Sequence, residues 1–591
     1  MHSIICHVNA WVFFLAASLL AFTSFALDDD GIYFVDDSEV QAHLAARSEY
    51  IAREKRQRQD RDFRQALSPN AKHAHLIVEA IREEEIDNYW RFYAPVGREN
   101  EERFAGMMFQ KARPFILETE LWKIVKRMPK GSLLHAHLNA MVSTDVIINA
   151  VLDTNGMAIS ASHDVSDHIS RRNATISFTY INTPFSSSLP SIHSIEYVPN
   201  TWIPISEALE TFPGGREGFV AFIKSKMTIS PEESYRHDLG LDAIWRKFQR
   251  SFPPISSALN YEPILRTYFR SLFAGMADDG VYWAEIRGGG SSATLKPQGS
   301  TTPDPDLDFW WRVMIDELVK FKQTRKDEDF WGVRIIWSDL RSWNRSTLIS
   351  AMKTAIERKI NFPELFSGYD LVAQEDLGRP LVDLAPELLW FQNQVQAANI
   401  TMPFFFHAGE TLGDGNDTDS NLFDAMLFQT RRIGHGFSLY KHPQLIADVI
   451  DNHVMLEVCP ISNEILRLTT DILHHPLPAL IAHGVPTAIS NDDPTILGQD
   501  EPGLSFDFYQ VVQAFDSVGL AGLGAVAQNS VRWANFEDQT REQWIRDIKL
   551  GVDGEGIKAR RLQQWHQKWE DYCTWIVTEY GSRYNFVEPI A

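Results

Sequence analysis

Apolar residues fall into eight short runs along the chain, separated by longer stretches with apolar positions at helical intervals. The runs are 131–137 (GSLLHAH), 281–287 (VYWAEIR), 332–338 (GVRIIWS), 367–373 (SGYDLVA), 402–407 (MPFFFH), 432–435 (RIGH), 453–459 (HVMLEVC) and 486–490 (PTAIS). Most are continuous rather than alternating, as strands buried on both faces are. Eight strand–helix repeats predict an α/β fold, a TIM (β/α)8 barrel. A doubly wound sheet shares this rhythm. The barrel is favoured because polar residues recur at the ends of the runs: His135, His137, Arg287, Ser338, Asp339, His407, His435, Asn491, Asp492 and Asp493. Barrel active sites are built at that face.

Two regions stand outside the rhythm. Residues 27–110 are charged and helix-prone, with Val40, Leu44, Ile51, Leu76, Ile77, Ala80 and Ile81 at helical spacing and a break at Ser68-Pro69-Asn70. They predict an N-terminal helical arm, either a solvated face or a homodimer contact. Residues 150–205 turn rich in Ser, Thr, Asn and Ile, which predicts a β-rich lobe inserted after the first strand. Trp202 in that lobe is a candidate lid residue or a core Trp. The barrel with its lobe spans 111–591.

The first 26 residues have an apolar run, Trp11 to Phe22, and small residues at Ser24 and Ala26. That pattern predicts a cleaved signal peptide; the run is short for a membrane span. No later stretch is apolar enough to span, so a secreted protein with no membrane contact after cleavage is expected. Sequons at Asn173, Asn344, Asn399 and Asn416 agree with export. After cleavage Cys459 and Cys573 remain; two free buried thiols are expected rather than a disulfide. A net charge of -22 argues against a nucleic-acid partner.

The candidate chemistry sits at the strand ends. His135 and His137 are two apart, so in a strand they face one point, as two metal ligands must. His407 offers a third nitrogen, with Glu410 one turn on. His435 lies between Gly434 and Gly436, which permit close backbone approach. Asp492 and Asp493 precede Pro494. Each feature alone has a structural explanation, such as a turn, a helix cap or a solvated strand. Together they supply His, His, His and Asp, ligands suited to Zn²⁺, which lowers the pKa of a bound water toward neutrality. His435 and Glu410 remain for proton work.

MPKGSLLHAH, FFHAGET, RRIGHG, LEVCPISN and SNDDP, in that order, resemble the adenosine deaminase superfamily, and within it the secreted adenosine deaminase-related growth factor branch. The resemblance covers most of the chain. It implies one zinc per subunit on His135, His137, His407 and Asp492. It implies attack of water at C6 of a purine nucleoside, oriented by His435 and Asp492. Glu410 would then protonate N1, and Asp493 would hydrogen-bond N7. The expected reaction converts adenosine, and 2′-deoxyadenosine, to inosine forms and ammonia.

Three positions depart from the family pattern. Where the family has an Asp for the ribose 5′-hydroxyl, this chain has Leu138 and Asn139. Ala373 stands where a Gly presents its N–H to the base, and Glu375 matches a carboxylate of ribose-side or structural role. Asn139 and Ala373 keep in view an aminohydrolase for another adenine-type substrate, and the growth-factor branch keeps in view an extracellular signalling or binding protein of the same fold that has lost catalysis.

Overall fold

The computed structural model describes residues 38–98, 101–182, 189–289, 295–500 and 503–584. The signal-peptide segment lies outside them. By contacts the chain divides into two units, residues 1–57 and 58–591. In the first, Ser38–Lys55 is a helix with no buried residue. The division falls well before residue 110. Helices Arg61–Gln65 and Pro69–Glu85, expected as part of an arm, pack on the helices that follow the last barrel strand instead. Helix Pro69–Glu85 buries Ala71, Ala74, Ile77, Val78 and Ile81. It lies along the C-terminal helix Ile557–Tyr580. Ser68 caps its start through the Ala71 amide and also donates to Glu570 at 2.6 Å. Arg82 at its far end donates to the Val512 and Gln513 carbonyls. The apolar stripe was legible in sequence, but its partner was not, because that partner lies some 490 positions downstream.

Eight parallel strands form the barrel: β1 (Gly131–Leu133), β5 (Val281–Gly288), β6 (Gly332–Leu340), β7 (Phe366–Val372), β8 (His407–Ala408), β9 (Arg432–His435), β10 (Met455–Val458) and β11 (Thr487–Ile489). Regular ladders join β1-β5-β6-β7 and β8-β9-β10-β11. Two single bridges close the ring. Tyr369 exchanges backbone hydrogen bonds with Pro403 and Phe405, and Asp492 does so with His135 and His137. Each sequence run thus finds its strand. The fifth is the most irregular, since Pro403 has no N–H to give a ladder. β1 is shorter than its run, and His135 to His137 continue as an extended segment held by bridges to Asp492 and Arg287.

The inserted lobe is a three-stranded antiparallel sheet of β2 (Met157–Ala161), β3 (Ile176–Tyr180) and β4 (Ile203–Pro204), with β2 central. It packs on helix Gly240–Leu259, whose Ser257 hydroxyl accepts from the Phe178 amide. Trp202, just before β4, is half-buried. Cys459 and Cys573 are both free and buried. No described helix is long and apolar enough to cross a membrane.

The turn into β5 is tightly set. Gly280 has φ +73°, its carbonyl accepts from the Lys130 and Gly131 amides, and a Cβ there would sit 2.3 Å from the Met128 oxygen. Gly280→Ala is expected to cost at least about 2 kcal/mol through left-handed strain and overpacking. A thermal melt checks this; an unchanged midpoint would show that the β1–β5 seam tolerates the contact.

Candidate metal centre and active site

Five charged side chains lie buried within the barrel and contact one another in series: Glu285, Arg432, Glu457, Arg287 and Asp370. Arg432 donates to Glu285 at 2.9 Å and to Glu457 at 2.6 Å. Arg287 donates to Glu457 and to Asp370, both at 2.7 Å, and also to the Leu134 and Phe405 carbonyls. Burial alone would raise both carboxyls. The guanidiniums beside Glu457 outweigh it, as do His407 and Arg287 beside Asp370, and each is held well below the usual carboxylate range.

These two carboxylates orient two histidines. Glu457 Oε2 accepts from His135 Nδ1 at 2.9 Å, and Asp370 Oδ2 accepts from His407 Nδ1 at 2.6 Å. An anionic acceptor on Nδ1 fixes the proton there and leaves the Nε2 lone pair free. Two of the ring nitrogens meet at Asp492. His135 Nε2 lies 3.3 Å and His137 Nε2 3.1 Å from Asp492 Oδ1. Ser462 donates to the other oxygen, Oδ2, at 2.7 Å. His135, His407, His435 and Asp492 offer ligand atoms within 4.8 Å of one another, and His137, Asp492 and Asp493 form a second such group. His135 Nε2, His435 Nε2 and Asp492 Oδ1 are buried without a hydrogen-bond partner. His135 Nε2 and Asp492 Oδ1, left so within one cluster, fit a metal ion.

Around this cluster stand the other expected residues. Glu410 is buried, with Oε1 3.6 Å from His435 Nε2 and otherwise unpartnered. Burial, then Asp492 and Glu375, push its carboxyl well above the ordinary range. Asp493 is raised by burial and by Asp492, and neither of its oxygens has a partner. Gly434 is required where it stands, since a Cβ would meet the His135 ring at 2.8 Å. Asn139 lines a cavity beside His137, with Phe252, Gly288, Trp310 and Val372, and donates to Ser256 at 3.0 Å. Ala373 is half-buried at φ +82°, a conformation that favours glycine.

Glu375 is placed differently from a ribose contact. It is fully buried and accepts from the Glu410 amide at 2.8 Å, the Gly409 amide at 3.3 Å and Asn421 at 2.7 Å. Its oxygens hold the turn that carries His407 and Glu410. Sequence reasoning passed over Asp370, Glu457 and Ser462. The available signal was a carboxylate set inside each of two apolar strands, where a charge is costly unless paired.

A parallel barrel with a buried His/Asp cluster at the carboxyl ends of its strands is the architecture of a barrel enzyme, with a site that fits a metal ion. The family model described as adenosine deaminase matches residues 236–549. Adenosine deaminase 2-A of Danio rerio is 32% identical over 444 residues, covering 74% of this chain and 82% of that protein. Adenosine deaminase of Lutzomyia longipalpis is 30% identical over 449 residues, covering 74% and 81%. Human adenosine deaminase 2 is 29% identical over 480 residues, covering 80% and 84%. The chain belongs to the adenosine deaminase family, in the branch of the adenosine deaminase 2 relatives, and is an aminohydrolase. The matched family segment carries His407, Glu410, His435, Asp492 and Asp493, whereas His135 and His137 lie before it, across the inserted lobe.

Asp370→Asn is expected to lower metal affinity about 10–100-fold, as loss of an outer partner of a ligating histidine does. Competition with a chromophoric chelator measures it. Unaltered affinity would show that Asp370 does not orient His407.

Proposed function

We propose that this chain is a secreted, zinc-dependent adenosine deaminase that converts adenosine and 2′-deoxyadenosine to inosine forms and ammonia. The observation that carries the reading is Glu410, a buried carboxyl 3.6 Å from His435 Nε2 and beside a convergent His/Asp cluster. His135, His137, His407 and Asp492 would hold the zinc. His135 Nε2 and His137 Nε2, 3.3 and 3.1 Å from Asp492 Oδ1, support a shared ligand set of imidazoles and a carboxylate, the donors suited to zinc. The ion, when bound, would supply Lewis-acid activation of a water molecule.

The remaining work falls to the protein. Glu410 gives its proton to N1 of the purine, which makes C6 electrophilic. Water adds at C6, oriented by His435 and Asp492; the proton it sheds passes to the amine, which leaves as ammonia, and the C6 hydroxyl proton returns to Glu410. Asp493, protonated, donates to N7. The raised carboxyls of Glu410 and Asp493 support these roles, since each is needed as an acid in the complex.

Export is supported by the N-terminal apolar run and by the exposure of Asn173, Asn344, Asn399 and Asn416. The unburied helix Ser38–Lys55 supports a homodimer contact through the arm. Removing residues 27–57 is expected to change the mass seen by light scattering and to leave turnover per site intact. An unchanged mass would exclude this helix as the dimer contact.

A second reading, an aminohydrolase for another adenine-type substrate, is favoured by Asn139 and by Ala373 at φ +82°. Rates on adenosine, 5′-deoxyadenosine and adenine separate the two. A large loss without the 5′-hydroxyl supports a ribose contact at Asn139.

Glu410→Gln is expected to keep its metal and lose turnover at least about 100-fold, because an amide has no proton to give. The ultraviolet absorbance of adenosine follows the reaction, with and without chelator. Wild-type turnover in the variant would remove Glu410 from the chemistry.

A further inference from the structure

His435 differs from His135 and His407 in what its second ring nitrogen meets. Theirs face carboxylates, whereas His435 Nδ1 faces the side-chain amide of Asn463 at 3.2 Å. Which end of that amide it meets follows from the next partner. Asn463 also contacts His475 Nε2 at 3.0 Å, and His475 Nδ1 lies 3.0 Å from the backbone nitrogen of Leu477.

The chain of donors can be read from its far end. Leu477 is the first residue of helix Leu477–Ala482, so its N–H has no partner inside the helix and can only donate. His475 Nδ1 must therefore accept. The His475 ring is buried and neutral, its pKa pushed down to about 3 by burial, so its one proton is on Nε2. Nε2–H then donates to Asn463, which fixes the amide oxygen on that side and turns the NH₂ toward His435. An NH₂ only donates, so His435 Nδ1 must accept. The neutral His435 ring thus carries its proton on Nε2, the atom aimed at the cluster.

We propose that Asn463 and His475 are positioning residues that fix His435 as an Nε2–H donor toward the reacting centre, neither a metal ligand nor the resting proton acceptor. This rests on the deaminase reading of the site. It sorts the four imidazoles: His135 and His407 present lone pairs, and His435 presents a hydrogen. The buried Nε2 of His435 has no hydrogen-bond partner, with Glu410 Oε1 at 3.6 Å and Asp492 Oδ2 at 3.9 Å. Its N–H is thus free for the oxygen that attacks C6. His137, rather than His435, then completes the ligand set with His135, His407 and Asp492.

The test has a spectroscopic and a kinetic arm, both on the metal-loaded full chain. In a long-range proton–nitrogen correlation spectrum of ¹⁵N-histidine protein, the His435 signals are assigned by their loss in His435→Gln. Protonated Nε2 with unprotonated Nδ1 is expected, and a protonated Nδ1 overturns the proposal. In the kinetic arm, Asn463→Asp replaces the donor by an acceptor and moves the His435 proton to Nδ1. A fall in kcat of about 100-fold, the scale of losing one donor to the transition state, is expected, with metal content and KM unchanged. His475→Leu is expected to lose turnover as well. His475→Gln, which keeps an N–H at the Nε2 position, is expected to restore most of it. Wild-type kcat in Asn463→Asp, or equal loss in both His475 variants, overturns the relay. If the wild-type protein deaminates no adenine-type substrate, the function reading fails, and the ring spectrum still decides the tautomer.

Discussion

The salt bridge of Arg287 to both Asp370 and Glu457 is the constraint on which the site depends. One buried guanidinium holds two carboxylates, and each carboxylate holds one histidine ring. The geometry of two histidines on different sides of the barrel is therefore set by a single cation between them. Isolated, any member would be a costly buried charge, and removing one partner of such a set costs about 3–5 kcal/mol. The arrangement persists because every charge in the series Glu285, Arg432, Glu457, Arg287, Asp370 has an opposite neighbour. The barrel interior is thus a polar scaffold at its centre, and its rigidity comes from charge-assisted hydrogen bonds as much as from packing.

Backbone strain is also present at the rim above this scaffold. Ala373, His435 and Asp492 all have left-handed backbones, at φ +82°, +61° and +58°, though none is glycine. Such conformations each cost of order 1–3 kcal/mol and survive where the surroundings over-determine them. Here the strand below and the loop above both fix the direction of the side chain. The turn holding His407 and Glu410 achieves its direction by another route, with Gly409 at φ +78° and Glu375 accepting the amides that follow His407.

Much of this was legible in the chain. Six of the eight apolar runs lie largely on strands, because strands buried on both faces of a parallel sheet leave a continuous apolar signature. The first run is a strand only over Gly131–Leu133, and the fifth meets its strand only at His407. The convergence of His135, His137, His407, His435, Glu410, Asp492 and Asp493 was legible because barrel topology brings strand ends together whatever their separation. What escaped was pairwise. Asp370 and Glu457 look like polar interruptions until Arg287 is set between them. The packing of 69–85 on 557–580 joins the two ends of the chain, and nothing in either segment names the other. The role of Glu375 was ambiguous because a carboxylate that binds a ligand and one that binds amides look alike in sequence. Asn463 and His475 are ordinary helix-turn residues until their order of donors and acceptors is traced.

The bridge that closes the ring carries a consequence of its own. Asp492 supplies the carboxylate shared by two histidines, and its backbone is also the joint between the last strand and the first. Its amide donates to His135 and its carbonyl accepts from His137. The same three residues are thus the seam of the barrel and the floor of its pocket. An ion held there would act as a rivet across the seam, so that occupancy and cohesion would rise and fall together. In such a barrel, a cell short of the ion would have not a reserve of idle enzyme but a population prone to open at this one joint.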